Sequence, residues 1–198
     1  PPPPTPTPTP VPAPRGPYLQ SVTPNSIWVV WYTVEPGVGR VAYGETTELG
    51  QEIVEEEPAR HHAVELTGLE PYTLYQYRVD DGEIYTFRTA PTADQESFRF
   101  AVMGDTRTNR EPHEAVVAQV VEADPDMVIN TGDLVGDGWD ATQWDTFFEI
   151  EAPLLRTAPL YPAMGNHEKN DPRYFEAFHL PGNERWYAFD YGPARFIV

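Results

Sequence analysis

The chain has 198 residues, with 13 basic side chains against 31 acidic ones and a formal net charge of −18. A field of that sign repels nucleic acid and anionic membrane surfaces, so long polyanionic partners are excluded and a small phosphorylated one needs local positive charge. Cysteine is absent, which rules out disulfides and thiolate metal sites without fixing the compartment. No apolar run reaches the ~18 residues that a spanning helix requires.

Residues 1–14 read PPPPTPTPTPVPAP. Prolines at this density enforce an extended polyproline II chain and cannot build a core. Residues 1–15 are therefore a linker or stalk. Thr5, Thr7 and Thr9 alternate with proline, a composition shared by bare semi-rigid spacers and O-glycosylated stalks outside cells. The opening inside a proline run, with no signal peptide, predicts a trimmed piece of a longer precursor. Docking of residues 1–14 on a neighbouring copy is a further expectation.

From residue 16 to 92 the composition turns β-rich. Short runs fall at 18–22, 26–33, 39–44, 61–66, 73–79 and 83–89, with turn signals at Pro24-Asn25, Pro36-Gly37 and Asp81-Gly82. This pattern predicts an antiparallel sandwich. In YQYRV (75–79) the odd positions are apolar, so one face is buried. The stretch LTGLEPYTLYQYRV (66–79) resembles the E–F corner of fibronectin type III domains. The resemblance implies that Tyr75 is the corner tyrosine and that Trp28 or Trp31 is the core tryptophan. Neighbouring strand residues face opposite sides, so His61 and His62 are expected as one surface and one core residue, not as a metal pair. A carbohydrate- or surface-binding role for the sandwich is a weaker alternative.

A short polar linker at 92–97 precedes alternating strands and helices, and a second domain is assigned to 96–198. Strands are predicted at 98–104, 127–131 and 160–164, and helices at 112–123, from 140 onward and at 173–178. Strands at 185–191 and 194–198 close the chain. Val116, Val117, Val120 and Val121 are expected on one face of the first helix, and Pro112 suits its first turn. DATQ (140–143) reads as a capping box for a helix carrying Trp144, Phe147 and Phe148. Strand–helix–strand units of about 30 residues build a parallel sheet with right-handed crossovers.

Three segments carry the chemistry: FRFAVMGD (98–105), DMVINTGD (126–133) and PLYPAMGNH (159–167). In each an apolar strand ends in glycine, followed at once by Asp or Asn. Glycine is expected to turn the chain sharply so that the next side chain projects over the sheet edge, where ligands of parallel sheets bind. Asp105 and Asp133 are 28 residues apart and Asp133 and Asn166 are 33 apart, one strand–helix–strand period each. The three oxygen donors are thereby returned to one rim, with His167 beside the third. Such hard donors suit divalent or trivalent metals, and a carboxylate between two others can bridge ions ~3.5–4 Å apart.

The ordered series GDTR (104–107), GDLVG (132–136) and GNHE (165–168) resembles the calcineurin-like metallophosphoesterase superfamily. With the fibronectin-like module in front and GPYLQ (16–20) near its start, the chain is similar to the purple acid phosphatase branch over residues 16–198. The implied fold is a β-sandwich followed by the first half of a metallophosphoesterase α/β sandwich. The implied activity is hydrolysis of a small phosphoester by water activated between two divalent or mixed-valence ions of Fe, Zn or Mn. The resemblance assigns Asp105 to the first metal, Asp133 to both, Asn166 to the second, and His167 to the leaving group. Gly136 stands where the purple branch has a tyrosine, so no tyrosinate colour is implied. Arg107 stands where many superfamily members carry histidine; it either holds phosphate oxygens or pairs with a local carboxylate.

The family's remaining ligands are histidines of its C-terminal half, including a Gly-His-x-His segment. Only His113, in a helical first turn, and His179, in an amphipathic stretch, remain here as further candidates. About half of a catalytic domain is expected, with the 198-residue chain alone inactive and the whole protein extracellular or at the cell surface. The rival expectation is a non-catalytic surface or assembly protein that reuses the fold.

Overall fold

A computed structural model describes residues 13–94, 97–107 and 109–198. Residues 1–12, which hold Thr5, Thr7 and Thr9 and all but the last two residues of the segment expected to dock on a neighbouring copy, lie outside the described residues.

Seven strands form the sandwich. Strands β1 (Arg15–Gln20), β2 (Ser26–Gly37) and β5 (Ala59–Thr67) make one antiparallel sheet in the order β1-β2-β5. The facing sheet has the order β4-β3-β6-β7, from β3 (Arg40–Gly44), β4 (Gln51–Val54), β6 (Leu74–Val79) and β7 (Ile84–Arg88). Tyr75, Tyr77 and Val79 of β6 are buried while Gln76 and Arg78 are only partly so, the alternation of a sheet covered on one face. The Tyr75 hydroxyl accepts the Glu70 N–H at 3.0 Å, closing the expected tyrosine corner. Trp31 is the core tryptophan, 3% exposed. Strand β4 was not anticipated, because Gln51, Glu52 and Val54 are exposed and its sequence has no apolar alternation.

Strand β2 is buried on both faces through Ile27, Val29, Val30, Trp31 and Tyr32. One face packs within the sandwich and the other against the second half of the chain. Tyrosine hydroxyls stitch this seam. Tyr18 donates to the Ala177 carbonyl at 2.8 Å, Tyr32 to Glu176 at 3.1 Å, Tyr77 to Arg156 at 2.8 Å and Tyr161 to Val22 at 3.1 Å.

The second half alternates β8 (Phe100–Met103), α1 (Arg110–Ala123), β9 (Met127–Asn130), α2 (Ala141–Leu155) and β10 (Leu160–Pro162), then α3 (Pro172–Ala177) and the hairpin of β11 (Ala188–Tyr191) and β12 (Ala194–Ile197). The sheet β10-β9-β8 is parallel, as expected, with Met103 level with Asn130 and Asn130 level with Pro162. All three strands therefore end on the same rim. Met127, Val128 and Asn130 of β9 are fully buried, as befits a central parallel strand.

Two expectations about the helices need correction. The four valines of α1 do not share a buried face: Val117 is buried and Val120 packs on the core, but Val116 and Val121 are exposed. The buried stripe runs His113, Val117, Val120, spaced by four and three residues, and the other valines flank it. Nor is the start of α2 a reciprocal capping box. Asp140 caps the helix by accepting the Thr142 N–H at 3.0 Å, but the Gln143 carbonyl oxygen instead accepts Gly136 N–H at 2.7 Å and Asp137 N–H at 3.0 Å. Two loop donors without strand partners outbid the helix's own N-terminus.

Candidate metal centre

Each strand end delivers its side chain through a different local device. At Gly104 the backbone is ordinary, but a Cβ there would lie 2.0 Å from Thr131 Oγ1. The glycine lets β8 and β9 approach, and the turn is made by Asp105 itself, at φ 55°. Gly165 is also a close-approach residue, since its Cβ would meet Asp133 Oδ1 at 2.2 Å. Only Gly132, at φ 102°, turns the chain as the sequence predicted, and Asp133 follows it at φ 56°. A non-glycine residue in left-handed conformation is uncommon and costs energy; the two aspartates of the rim are among the residues of this chain that adopt it.

The rim is tied across strands by backbone bonds, from Thr131 N–H to Met103 O at 2.8 Å, Asp105 N–H to Gly132 O at 3.0 Å and Ala163 N–H to Asn130 O at 2.7 Å. Asp105 and Asp133 are brought together: a single Arg107 nitrogen, Nη1, donates to Asp105 Oδ1 and to Asp133 Oδ2. The Asp105 side chain is 77% exposed and that of Asp133 15%. The other Asp133 oxygen accepts the His167 N–H at 3.2 Å, which brings the Asn166–His167 loop to the same carboxylate. Asn166 is exposed. The His167 ring donates from Nδ1 to the Gly136 carbonyl at 2.7 Å, which leaves the Nε2 lone pair for proton exchange in the neutral ring.

Glu168 is the residue that the sequence reading missed. It is fully buried. Its Oε2 accepts from Asp133 N–H at 3.1 Å and Gly165 N–H at 2.7 Å, and its Oε1 from Leu134 N–H at 2.8 Å and Val135 N–H at 3.3 Å. One carboxylate thus replaces the missing strand partners of both loops. Its only signal was its place at the end of GNHE, weak in a chain with 31 acids.

The other histidines lie elsewhere. His113 Nε2 pairs with the buried Glu151 carboxylate at 2.7 Å between α1 and α2, where burial raises the carboxyl pKa against the pull of His113. His179 stacks on Trp28 at 5.0 Å in the seam. His62 is in the sandwich core, stacked on Trp31 at 4.6 Å. His61 is half-buried and not free on the surface: it stacks on Tyr32 at 4.4 Å and faces His179 at 5.9 Å, because the second half of the chain covers that side of β5.

Among the described residues no three His, Asp or Glu side chains are grouped to hold a metal ion. Two carboxylates that already share one cationic nitrogen, with an amide residue in the adjoining loop, nonetheless fit as part of a hard-metal centre.

Residues 98–196 match the calcineurin-like phosphoesterase family, and residues 14–99 match the purple acid phosphatase N-terminal domain. The chain belongs to the calcineurin-like phosphoesterases, in their purple acid phosphatase branch. Purple acid phosphatase 15 of Arabidopsis thaliana is 26% identical over 181 residues, covering 69% of this chain and 34% of the relative. Purple acid phosphatase 23 of the same plant is 26% identical over 263 residues, covering 91% and 56%. The chain thus spans between a third and somewhat over half of the length of these curated relatives. Among other relatives are proteins named probable inactive purple acid phosphatases. The fold matches purple acid phosphatase PPD1 from yellow lupin (Lupinus luteus) seeds, with a TM-score of 0.76 and 21% identity, over 94% of this chain and 44% of that one.

Proposed function

We propose that the chain is the front portion of a secreted, metal-dependent phosphoesterase acting on small phosphoesters, with a sandwich module at 16–92 and a catalytic portion at 96–198. The observation that carries this reading is the meeting of Asp105 and Asp133 at the strand ends, close enough to share one cation. Asp105, Asp133 and Asn166 would hold the metal ions, which when bound supply Lewis acidity toward phosphoryl oxygens and activate water. Glu168 fixes the two loops that carry Asp133 and Asn166. His167, its ring held at Nδ1 by the Gly136 carbonyl, takes up a second proton at Nε2 and gives that proton to the departing alcohol oxygen, returning to the neutral ring. Three oxygen donors are too few for two ions, so the remaining ligands come from polypeptide outside these residues, and the 198-residue chain alone is inactive.

The test is hydrolysis of 4-nitrophenyl phosphate by the full-length protein and by Asp133→Ala. Activity in the first and its loss in the second support the reading; equal activity in both removes Asp133 from the mechanism. A second reading, a non-catalytic extracellular protein that reuses the fold, rests on the guanidinium seated between the two aspartates and on the relatives named inactive. Full-length protein without phosphoesterase activity at any of Zn²⁺, Mn²⁺ or Fe²⁺ favours it.

A further inference from the structure

The geometry points to Arg107 as an internal cation that occupies the seat shared by Asp105 and Asp133 and so sets how tightly that seat takes a metal ion. The inference rests on the metal-centre reading above. Arginine usually meets a carboxylate as a fork, two nitrogens on one acid. The chain does this elsewhere: Arg110 places Nη1 and Nη2 on the two oxygens of Glu149, at 3.2 and 2.7 Å. Arg107 does the opposite, with one nitrogen between two acids contributed by different strands. That is the geometry of a point cation, not of a fork.

Charge at the rim explains the arrangement. Two aspartates held together need a positive partner, and the chain's single lysine, Lys169, is engaged by Asp137 at 2.9 Å. Arg107 supplies the charge from two residues beyond Asp105. Its side chain is only 28% exposed and that of Asp133 15%, so water screens the contact with Asp133 incompletely. A metal ion entering the seat must displace the guanidinium. The side chain has somewhere to go, since Arg107 also lines cavities of about 340 Å³ and about 150 Å³ on the α1 side, the first with Asp105 and Pro112, the second with Gln143 and Phe147, and both with His113.

The test is calorimetric titration of metal-stripped full-length protein with Mn²⁺ and with Zn²⁺. Arg107→Ala is expected to bind roughly tenfold tighter or more than wild type, because a unit charge at contact distance no longer competes. Arg107→Lys falls between them, and Arg107→Gln, which keeps most of the length without the charge, follows Arg107→Ala should the latter fold poorly. Asp133→Asn abolishes binding in either background, which locates the ion. If wild type binds, Asp133→Asn does not, and loss of the Arg107 charge leaves affinity unchanged or lower, the inference is overturned while the metal reading stands. If neither ion binds wild type or Arg107→Ala, or if Asp133→Asn binds like wild type, the metal reading fails and the inference with it.

Discussion

Glu168 Oε2 accepts the backbone N–H of Asp133 at 3.1 Å, and this bond joins the third strand-end loop to the second. The same oxygen holds Gly165 N–H at 2.7 Å, while Oε1 holds Leu134 and Val135. Four backbone donors converge on this one buried side chain, so its oxygens are fully partnered by the protein itself. Glu168→Ala leaves those donors buried without an acceptor, and a loss of roughly 2–4 kcal/mol is expected. Glu168→Gln keeps one acceptor oxygen but sets an NH₂ group against N–H donors, so it recovers only part of the loss. Urea unfolding of the three proteins measures this, and an unchanged midpoint for Glu168→Ala contradicts the assigned role.

The seam between the two halves predicts how the chain unfolds. Tyr18 and Tyr161 are fully buried there, and each hydroxyl donates to a carbonyl across the boundary. A domain boundary with this much aromatic burial couples its two sides. One calorimetric transition is expected instead of two, and Tyr18→Phe should cost about 1 kcal/mol by leaving the Ala177 carbonyl without its donor. Two resolved transitions would show that the halves are independent.

His61 makes the seam sensitive to acid. Burial, and to a smaller extent the positive fields of His179, His62 and Arg15, push its pKa from 6.5 down to about 4. His179 is shifted in the same direction, by burial. Between those values the unfolded chain binds a proton at His61 that the folded chain does not, so acid favours unfolding. The stability contributed by neutral His61 is complete above about pH 6.5 and is lost as the pH falls toward about 4. The melting temperature should decline across that window, and His61→Phe should flatten the decline. An identical slope for the variant contradicts the assignment.

How far these features were legible in the sequence depends on whether their cause is local. The alternation at 75–79 exposes β6, and the uninterrupted apolar run at 127–129 exposes the central strand, because each pattern records its own burial. Strand β4 left no such record, since three of its four residues are exposed. The burial of both faces of β2, and of His61, depends on partners more than a hundred residues away, such as Glu176 and His179. At the rim, the spacing of Asp105 and Asp133 foretold that two neighbouring strand ends lie side by side. It did not reveal that Gly104 and Gly165 are there for close approach, that Glu168 is the hidden fastener, or that the carboxylate partners of Arg107 are the two aspartates themselves. Those are facts of contact, and no single stretch of chain encodes them.

The most direct test is anomalous diffraction at the zinc edge from crystals of the full-length protein grown with Zn²⁺. A zinc peak bound to the carboxylates of Asp105 and Asp133, with Zn–O distances of ~2.0–2.2 Å and Arg107 displaced from between them, is the predicted result. Zinc bound elsewhere, with the guanidinium still lodged between the two aspartates, would contradict the account.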